Sequence, residues 1–556
     1  MRYTAVTIGP IYKTMMQARK SRHLWGASYL FSFIMKTVVQ VIKDEHGITG
    51  QDILLPYVAK EQKNAIDFAG TGLYPDRLFA KDEHGKIYDN IQAIEQKTIE
   101  TITNDLSTDE KNYLNNYIRI CAVNYKISQE DLSADPEGIH SNVIKKGNIL
   151  LDSIELKEKY TADITSIDWS SILDKLNGKM LYKNAFKNIR SNYQFPSVIE
   201  IGTSDFRLKN PQAYDTLVEK ILWNSNEDEV AQSKFLAELN ENSDFVGYKV
   251  KPYHKYIAVV QADGDNIGKT ISAIGNNEEK IRIFSSALFD FSKEATGWIN
   301  QYGGKPVYVG GDDLFFFAPV AVRSTLRVND NNFNYLTTIF DLIKKIDSSF
   351  SEKVLNNPVL KETVYTNGVK KPSLSYGVSI VYTKYPLNEA RDIAYNLMQR
   401  AKKEGGDEKN KICFRVLRHS GQGFGFTVDK NKTNPNTYPP CSYDYFSKLC
   451  GHVPEDASLL SSLIFKLAPL YSILNEAGHD EGKMKMLFEN SFNEPHHAIP
   501  EIKEFLDNCC MFINRVFLDF PDNNELMPEY ETEERHGNLA KIYSTLRFLK
   551  MLLDDE

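Results

Sequence analysis

The stretch Lys305-Pro306-Val307-Tyr308-Val309-Gly310-Gly311-Asp312-Asp313-Leu314-Phe315-Phe316-Phe317-Ala318-Pro319-Val320 decides the fold. Two apolar runs flank a Gly-Gly-Asp-Asp turn, the pattern of two buried strands joined by a tight hairpin. Working outward toward the amino terminus, a helical period covers about Glu278 to Tyr302, and before it the apolar run Tyr256-Ile257-Ala258-Val259-Val260 leads to Asp263-Gly264-Asp265. On the other side, Ser373 to Val381 reads as a strand, Leu387 to Lys403 as a helix and Ile412 to Leu417 as a strand. That order of elements is ferredoxin-like.

In such a sheet the opening strand lies beside the central hairpin, so Asp263 at the end of one converges with Asp312 and Asp313 at the tip of the other. Oxygen-only ligands, here those carboxylates with the adjoining Gly264, favour hard cations such as Mg²⁺ or Mn²⁺, which keep positions for water and substrate phosphates. Two such ions activate an attacking hydroxyl and neutralise charge on an α-phosphate and a leaving pyrophosphate, which is nucleotidyl transfer. Gly310 and Gly311 suit a turn that needs positive φ and a backbone that a nucleotide approaches closely. The alternative is an ordinary solvated turn, because Gly and Asp are common turn residues. Asp265 is either a ligand of the metal or nucleotide or a turn residue bonding its own backbone.

Two competing motifs fail on spacing. Gly264 to Thr270 is Walker-like, but three residues separate its glycines where a P-loop needs four. A calcium loop starting at Asp263 would place Ile267 and Ile274 at positions that require side-chain oxygens.

The remainder bounds the architecture. At 556 residues the chain exceeds one core, and 42% hydrophobic with 25% charged residues is an ordinary globular composition. A net charge of -8 argues against a global positive field, so any RNA contact is local or shared. The six cysteines, Cys121, Cys413, Cys441, Cys450, Cys509 and Cys510, contain no CxxC pair, which disfavours a structural zinc or a disulfide framework. No secretory signal order opens the chain, and the apolar stretch from Leu24 to Ile42, interrupted by Lys36 and Gln40, reads as a buried core helix. The expectation is a cytoplasmic protein without a membrane partner.

An opening strand from Thr4 to Gly9 precedes a basic segment with Lys13, Arg19, Lys20 and Arg22, and short strands are expected at Ile53-Leu54-Leu55 and Leu78-Phe79-Ala80. From about Asn90 to Val250 the pattern is largely helical, with a capping box at Ser107 and Glu110. A loop at Asn431 to Pro440 leads to helical periods running from Ser458 to the end. The fold class is α+β, with boundaries at 1–175, 176–250, 251–425 and 426–556: an amino-terminal α/β unit with a helical insertion, a helical middle, the Gly-Gly-Asp-Asp unit and a carboxy-terminal helical domain.

The pairing of Asp263-Gly264-Asp265-Asn266-Ile267-Gly268 with Tyr308 to Asp313 resembles the palm domain of the large polymerase/cyclase subunits of type III CRISPR effectors. Ile8-Gly9-Pro10-Ile11, Ala18-Arg19-Lys20-Ser21-Arg22, Leu24-Trp25, Ser28-Tyr29-Leu30, Pro75 to Ala80, Phe195-Pro196-Ser197 and Arg418 to Gly421 are similar to its type III-B, or Cmr-type, branch. The resemblance implies two ferredoxin-like palms face to face with ATP between them. Asp263, Asp312 and Asp313 would be the metal ligands, and Lys402, at the end of the helix after the hairpin unit, a triphosphate contact. The other reading of Lys402 is a surface lysine at a charged helix end. Ser285 is a further nucleotide-contact candidate.

Family members often carry an amino-terminal HD nuclease, whereas the only His-Asp pair here is His479-Asp480, so no DNase activity is expected. Gly9-Pro10 stands where the second unit has Asp-Gly-Asp, which predicts a first palm without metal ligands. The resemblance further implies other Cmr-type subunits, guide RNA and target RNA as partners. Its implied activity is an RNA-activated transfer from ATP, to another ATP giving cyclic oligoadenylate or to S-adenosylmethionine. A non-catalytic scaffold subunit and a stand-alone GGDEF-type synthase are the alternatives.

Overall fold

The structure is a computed structural model. It describes the chain except residues 19, 58–66, 69, 104–105, 129–141, 158–168, 177–180, 182–194, 224–228, 329–330, 366–367, 404–408, 420, 431–440, 452–456, 521–536 and 554–556. Arg19, Ser420 and the Asn/Pro-rich loop therefore lie outside the described residues.

Two antiparallel-rich sheets organise the molecule. The first comprises β1 (Arg2–Gly9), β2 (Ile53–Leu55), β5 (Arg77–Lys81) and β6 (Arg119–Lys126) in the order β2-β5-β1-β6; β3 (Asp67–Phe68) and β4 (Thr71–Gly72) form a separate small pair. The second comprises β7 (Tyr256–Asp265), β8 (Lys305–Gly310), β9 (Asp313–Pro319), β12 (Ser373–Tyr382), β13 (Lys411–Leu417) and β14 (Gly423–Asp429), in the order β14-β13-β12-β7-β9-β8. Between β9 and β12 a two-stranded ribbon of β10 (Ala321–Val328) and β11 (Asn331–Thr338) is inserted.

Read in chain order, β7, β8, β9 and β12 have the ferredoxin-like arrangement, fourth-first-third-second across the sheet, and β1, β2, β5 and β6 have the same one. The observed strand β6 is absent from the sequence reading, which made that region largely helical. The octet is half-buried and lacks clean alternation, and its strand state comes from pairing along the whole length of β1, Arg2↔Lys126 to Gly9↔Arg119. Strand β14 and the β10–β11 ribbon were likewise not foreseen.

The long apolar helix Ser21–Glu45 meets the length and composition of a membrane span, yet 83% of that window is buried inside the protein. It packs against β8, and reciprocally the helix Glu278–Gln301 packs against β2, so each sheet's first long helix reaches the other unit. Trp25 in the first helix is fully buried and its indole donates to the Gly70 carbonyl at 2.7 Å. One apolar cluster runs from Tyr3 through the second sheet to Leu552, and Phe340 meets Phe414, Phe446 and Phe548 edge-on where the carboxy-terminal helices close over it. The capping box forms as read, with Ser107 and Glu110 bonding reciprocally at the start of Thr108–Tyr117.

Candidate functional site

Strand β7 is fully buried from Ile257 to Val260 and emerges from the core at Gln261. Its ladder with β9 ends at Ala262↔Leu314, and the β8–β9 hairpin closes at Gly310↔Asp313. One step past the last β7–β9 pair, Asp263 and Asp313 therefore stand opposite each other, with Asp312 in the turn between the strands. Gly311 has φ of +70°, a conformation glycine adopts without penalty. Its N–H donates to Ser292 Oγ at 3.1 Å, and Ser292 donates to the Leu288 carbonyl at 2.9 Å, tying the turn to the buried helix behind it. A β-carbon on Gly264 would collide with the Asp312 carboxylate, so the bare backbone lets that side chain lie across the end of β7.

The electrostatics follow from crowding like charges. Burial, then the Asp263 charge, raises Asp312 to about 6, while Lys402 and backbone hydrogen bonds oppose the rise. Asp313 is pushed well above the carboxylate range by its enclosure, then by Asp312, Asp263 and Asp76. Its side chain is nevertheless exposed, because it stands in a cavity of about 1000 Å³ lying between the two sheets. From the first unit the cavity takes Gly9, Lys13, Asp76 and Arg119, and from the second Asp263 and Asp313. A second recess of about 600 Å³ adjoins Asp263, Gly264, Asp312, Lys269 and Lys409.

Lys402 reaches the site from the end of the helix Leu387–Lys403. Its ammonium pairs with the Asp263 carboxylate and donates to the Gly264 carbonyl at 3.0 Å. The available donors, three carboxylates and the Gly264 carbonyl, are all oxygens and suit a hard cation of the Mg²⁺ class. Among the described residues no three His, Cys, Asp or Glu side chains are gathered tightly enough to hold an ion. Lys402 supplies the positive charge at Asp263 instead.

Two expected nucleotide contacts lie elsewhere. Asp265 is fully buried, and one of its oxygens accepts from Ser373 Oγ at 2.9 Å, Ser375 Oγ at 2.7 Å and Asn410 N at 2.9 Å, so it locks β7 to β12 and β13. Ser285 is buried and accepts from the Tyr57 N–H at 2.8 Å, joining the chain after β2 to the helix of the other unit. Of the basic segment, Arg22 is paired with Asp174 at 3.0 Å. His479 packs on Phe517, and Asp480 caps the helix Glu481–Ser491.

Sequence reasoning missed three participants. Ser292 gave no signal, being one serine among several in an amphipathic helix. Tyr308 was quoted only within the motif, but its hydroxyl lies over Gly310, and its pKa is raised by burial and then by Asp76, Asp313 and Asp312. Asp76 was quoted within the stretch from Pro75 to Ala80; the available signal was its place directly before a hairpin strand, as Asp312 and Asp313 are placed.

Residues 256–413 match the family model described as Cas10/Cmr2, second palm domain, and residues 3–113 match the model of the CRISPR-associated protein Cmr2, N-terminal. The CRISPR system Cmr subunit Cmr2 of Pyrococcus furiosus is 24% identical over 282 residues, 46% of this chain and 28% of that protein's length. The chain thus spans less than a third of that relative. Among solved structures, a chain of the type III-B Cmr-beta complex in its apo state gives a TM-score of 0.51 at 12% identity, covering 99% of this chain and 81% of that one. A chain of the Csm1–Csm4 cassette in complex with pppApA gives 0.47 at 12% identity, covering 100% and 69%.

Proposed function

We propose that this chain, whose residues 256–413 and 3–113 match the Cas10/Cmr2 models, is the large subunit of a type III-B CRISPR effector whose second unit is a nucleotidyl-transferring palm. The observation that carries the reading is the register placing Asp263 opposite Asp313 with Asp312 between them. Both ferredoxin-like sheets are palms in this reading, with boundaries at 1–175, 176–250, 251–425 and 426–556, and nucleotide occupies the cavity between them.

Asp263, Asp312 and Asp313 with the Gly264 carbonyl would hold Mg²⁺ or Mn²⁺. When bound, the ions supply charge neutralisation at the α-phosphate and leaving pyrophosphate. The protein's own share is positioning. Ser292 and Gly311 fix the turn, Gly264 lets Asp312 approach, and the buried Asp265 anchors the strand that carries Asp263. Lys402 neutralises Asp263 until a cation takes its place, and is then free to meet a triphosphate. ATP is the donor; the acceptor is a second ATP, giving cyclic oligoadenylate, or S-adenosylmethionine. Guide RNA, target RNA and other Cmr-type subunits assemble on the chain in the cytoplasm, and target pairing turns the reaction on.

The pairing of Lys402 with Asp263 favours a second reading, a scaffold subunit without catalysis, as does the lack of a gathered three-carboxylate group among the described residues. The experiment is to incubate the reconstituted complex, guide and target RNA with Mg²⁺ or Mn²⁺ and labelled ATP, with and without S-adenosylmethionine. A target-dependent product that Asp312→Ala/Asp313→Ala abolishes supports the enzyme and names its acceptor. No product under any condition leaves the scaffold.

A further inference from the structure

The two sheets share a strand order, and their ladders can be laid over each other residue by residue. In the first, β1 pairs with β5 from Tyr3↔Lys81 to Thr7↔Arg77; in the second, β7 pairs with β9 from Ile257↔Pro319 to Ala262↔Leu314. With the last pairs matched, the next step outward sets Ile8 in the place of Asp263, Pro75 in that of Asp312 and Asp76 in that of Asp313. The first ladder continues through this step, since the Ile8 N–H donates to the Asp76 carbonyl at 3.2 Å. Gly9 then corresponds to Gly264. The first unit has lost two of the three acids and kept one.

Within its own unit Asp76 feels the opposing charges of Arg77 and Glu155, and the hydrogen bonds of Arg77 go to other residues. The neighbouring Arg77 guanidinium is directed away, donating to Asn148 at 2.7 Å, Asp152 at 2.5 Å and Glu155 at 3.2 Å. The Asp76 side chain is exposed and lines the same cavity as Asp263 and Asp313. It is near enough to them that its charge contributes to the raised pKa values of Asp313 and Tyr308. With apolar Ile8 and Pro75 in the other two positions, the arrangement of Asp263, Asp312 and Asp313 is not repeated, and the Asp152 and Glu155 carboxylates that share the cavity are paired with Arg77. Asp76 remains a strong hydrogen-bond acceptor facing the cation site from the opposite wall.

We propose that Asp76 is the acceptor-side carboxylate of the reaction: it receives the hydrogen bond, and then the proton, of the ribose hydroxyl that attacks the donor nucleoside triphosphate. The step balances. The hydroxyl oxygen forms a bond to the α-phosphorus, the bond from that phosphorus to the bridging α–β oxygen breaks, and pyrophosphate leaves with the electron pair. The hydroxyl proton passes to the Asp76 carboxylate and on to solvent. This rests on the nucleotidyl-transfer reading and deepens it, because the first palm becomes a contributor of chemistry in addition to a wall. Either proposed acceptor carries a ribose hydroxyl, so the role of Asp76 is the same for both.

The test has a binding arm and a turnover arm. With Mn²⁺ and the unreactive α,β-methylene analogue of ATP, calorimetry on the full chain is expected to give two nucleotides per chain. Asp76→Asn should leave the tighter one unchanged and weaken the other about 10-fold or more, the size of a lost charge-assisted hydrogen bond. In the reconstituted complex, Asp76→Asn should lower kcat by about 100-fold or more, as removing a general base does, with KM for ATP nearly unaltered, and Asp76→Glu should restore part of the loss. Wild-type kcat and wild-type second-site affinity in Asp76→Asn would overturn the assignment. A wild-type complex that makes no product removes the nucleotidyl-transfer reading instead, and the binding arm still decides whether Asp76 holds the second nucleotide.

Discussion

Replacing Gly264 with alanine adds a single methyl group at the crossing of β7 and the hairpin turn. An ideal β-carbon there falls inside contact distance of the Asp312 carboxylate and Cβ and of the Ile267 side chain. The backbone φ at Gly264 is not positive, so alanine strains nothing by conformation, and the whole effect is steric. Forced overpacking of this kind costs about 1–3 kcal/mol, relieved most easily by swinging the Asp312 carboxylate away. If that displacement falls on the cation site, Mn²⁺ binding weakens by roughly 5- to 150-fold, at 1.4 kcal/mol per factor of ten. Gly268, four residues on, provides the matched comparison. A β-carbon there meets nothing within 4 Å, and alanine inside the helix Ile267–Ile274 should stabilise by about 0.4–1 kcal/mol. The assay is Mn²⁺ titration of the two variants by calorimetry or electron paramagnetic resonance, with thermal melts alongside. Gly264→Ala binding Mn²⁺ as tightly as wild type would refute the placement of Asp312 beside Gly264.

Further outcomes follow from the same coordinates. Because Asp312 is raised to about 6, Mn²⁺ affinity should fall as pH drops through 6, and binding near that pH should release protons, seen as calorimetric enthalpies that change with the buffer. A carboxyl raised by the fold is protonated in the folded chain and ionised in the unfolded one between about 4 and 6. Stability without metal therefore falls as pH rises through that window, and Asp313→Asn is expected to raise the thermal midpoint at pH 7. Asp205 is fully buried; burial would raise its pKa, but His254 at 3.0 Å and Arg323 at 3.1 Å hold it below the ordinary range. Asp205→Ala takes the shared acceptor away from the Arg323 guanidinium and His254 Nε2 and should cost about 3–5 kcal/mol, read as a lowered melting temperature. Ser292→Ala removes the acceptor of the Gly311 N–H and should speed amide hydrogen exchange at the turn while the melting temperature drops modestly.

Much of the second sheet was legible because its signals are local. The apolar runs of β7, β8, β9 and β12, the turn residues between them and the helical period of Glu278–Gln301 each fit within a short window; the bounds of β12 and of that helix differ from the reading by one residue, while β7 continues past its apolar run to Asp265. Strand β6 was not legible, since Arg119–Lys126 becomes a strand by pairing with β1, more than a hundred residues earlier. The roles of individual polar residues divided the same way. Asp265 and Asp263 are two positions apart, a spacing that places both on one face of a regular strand, yet one accepts from a buried hydroxyl cluster and the other pairs with Lys402; chain spacing alone did not say which was which.

The amino-acid sequence by itself determined that a Gly-Gly-Asp-Asp hairpin stands beside an acidic strand end, and that this pairing resembles a palm, because turn chemistry and strand periodicity act between near neighbours. Only the tertiary structure decided that Lys402 pairs with Asp263, that Ser285 and Asp265 serve packing, and that Asp76 of one unit shares a cavity with Asp313 of the other. Those contacts join residues 108 to 237 positions apart, or on separate sheets, and depend on how two packed layers meet. Burial and charge crowding, which set the chemistry of each carboxylate, exist only once those layers have closed.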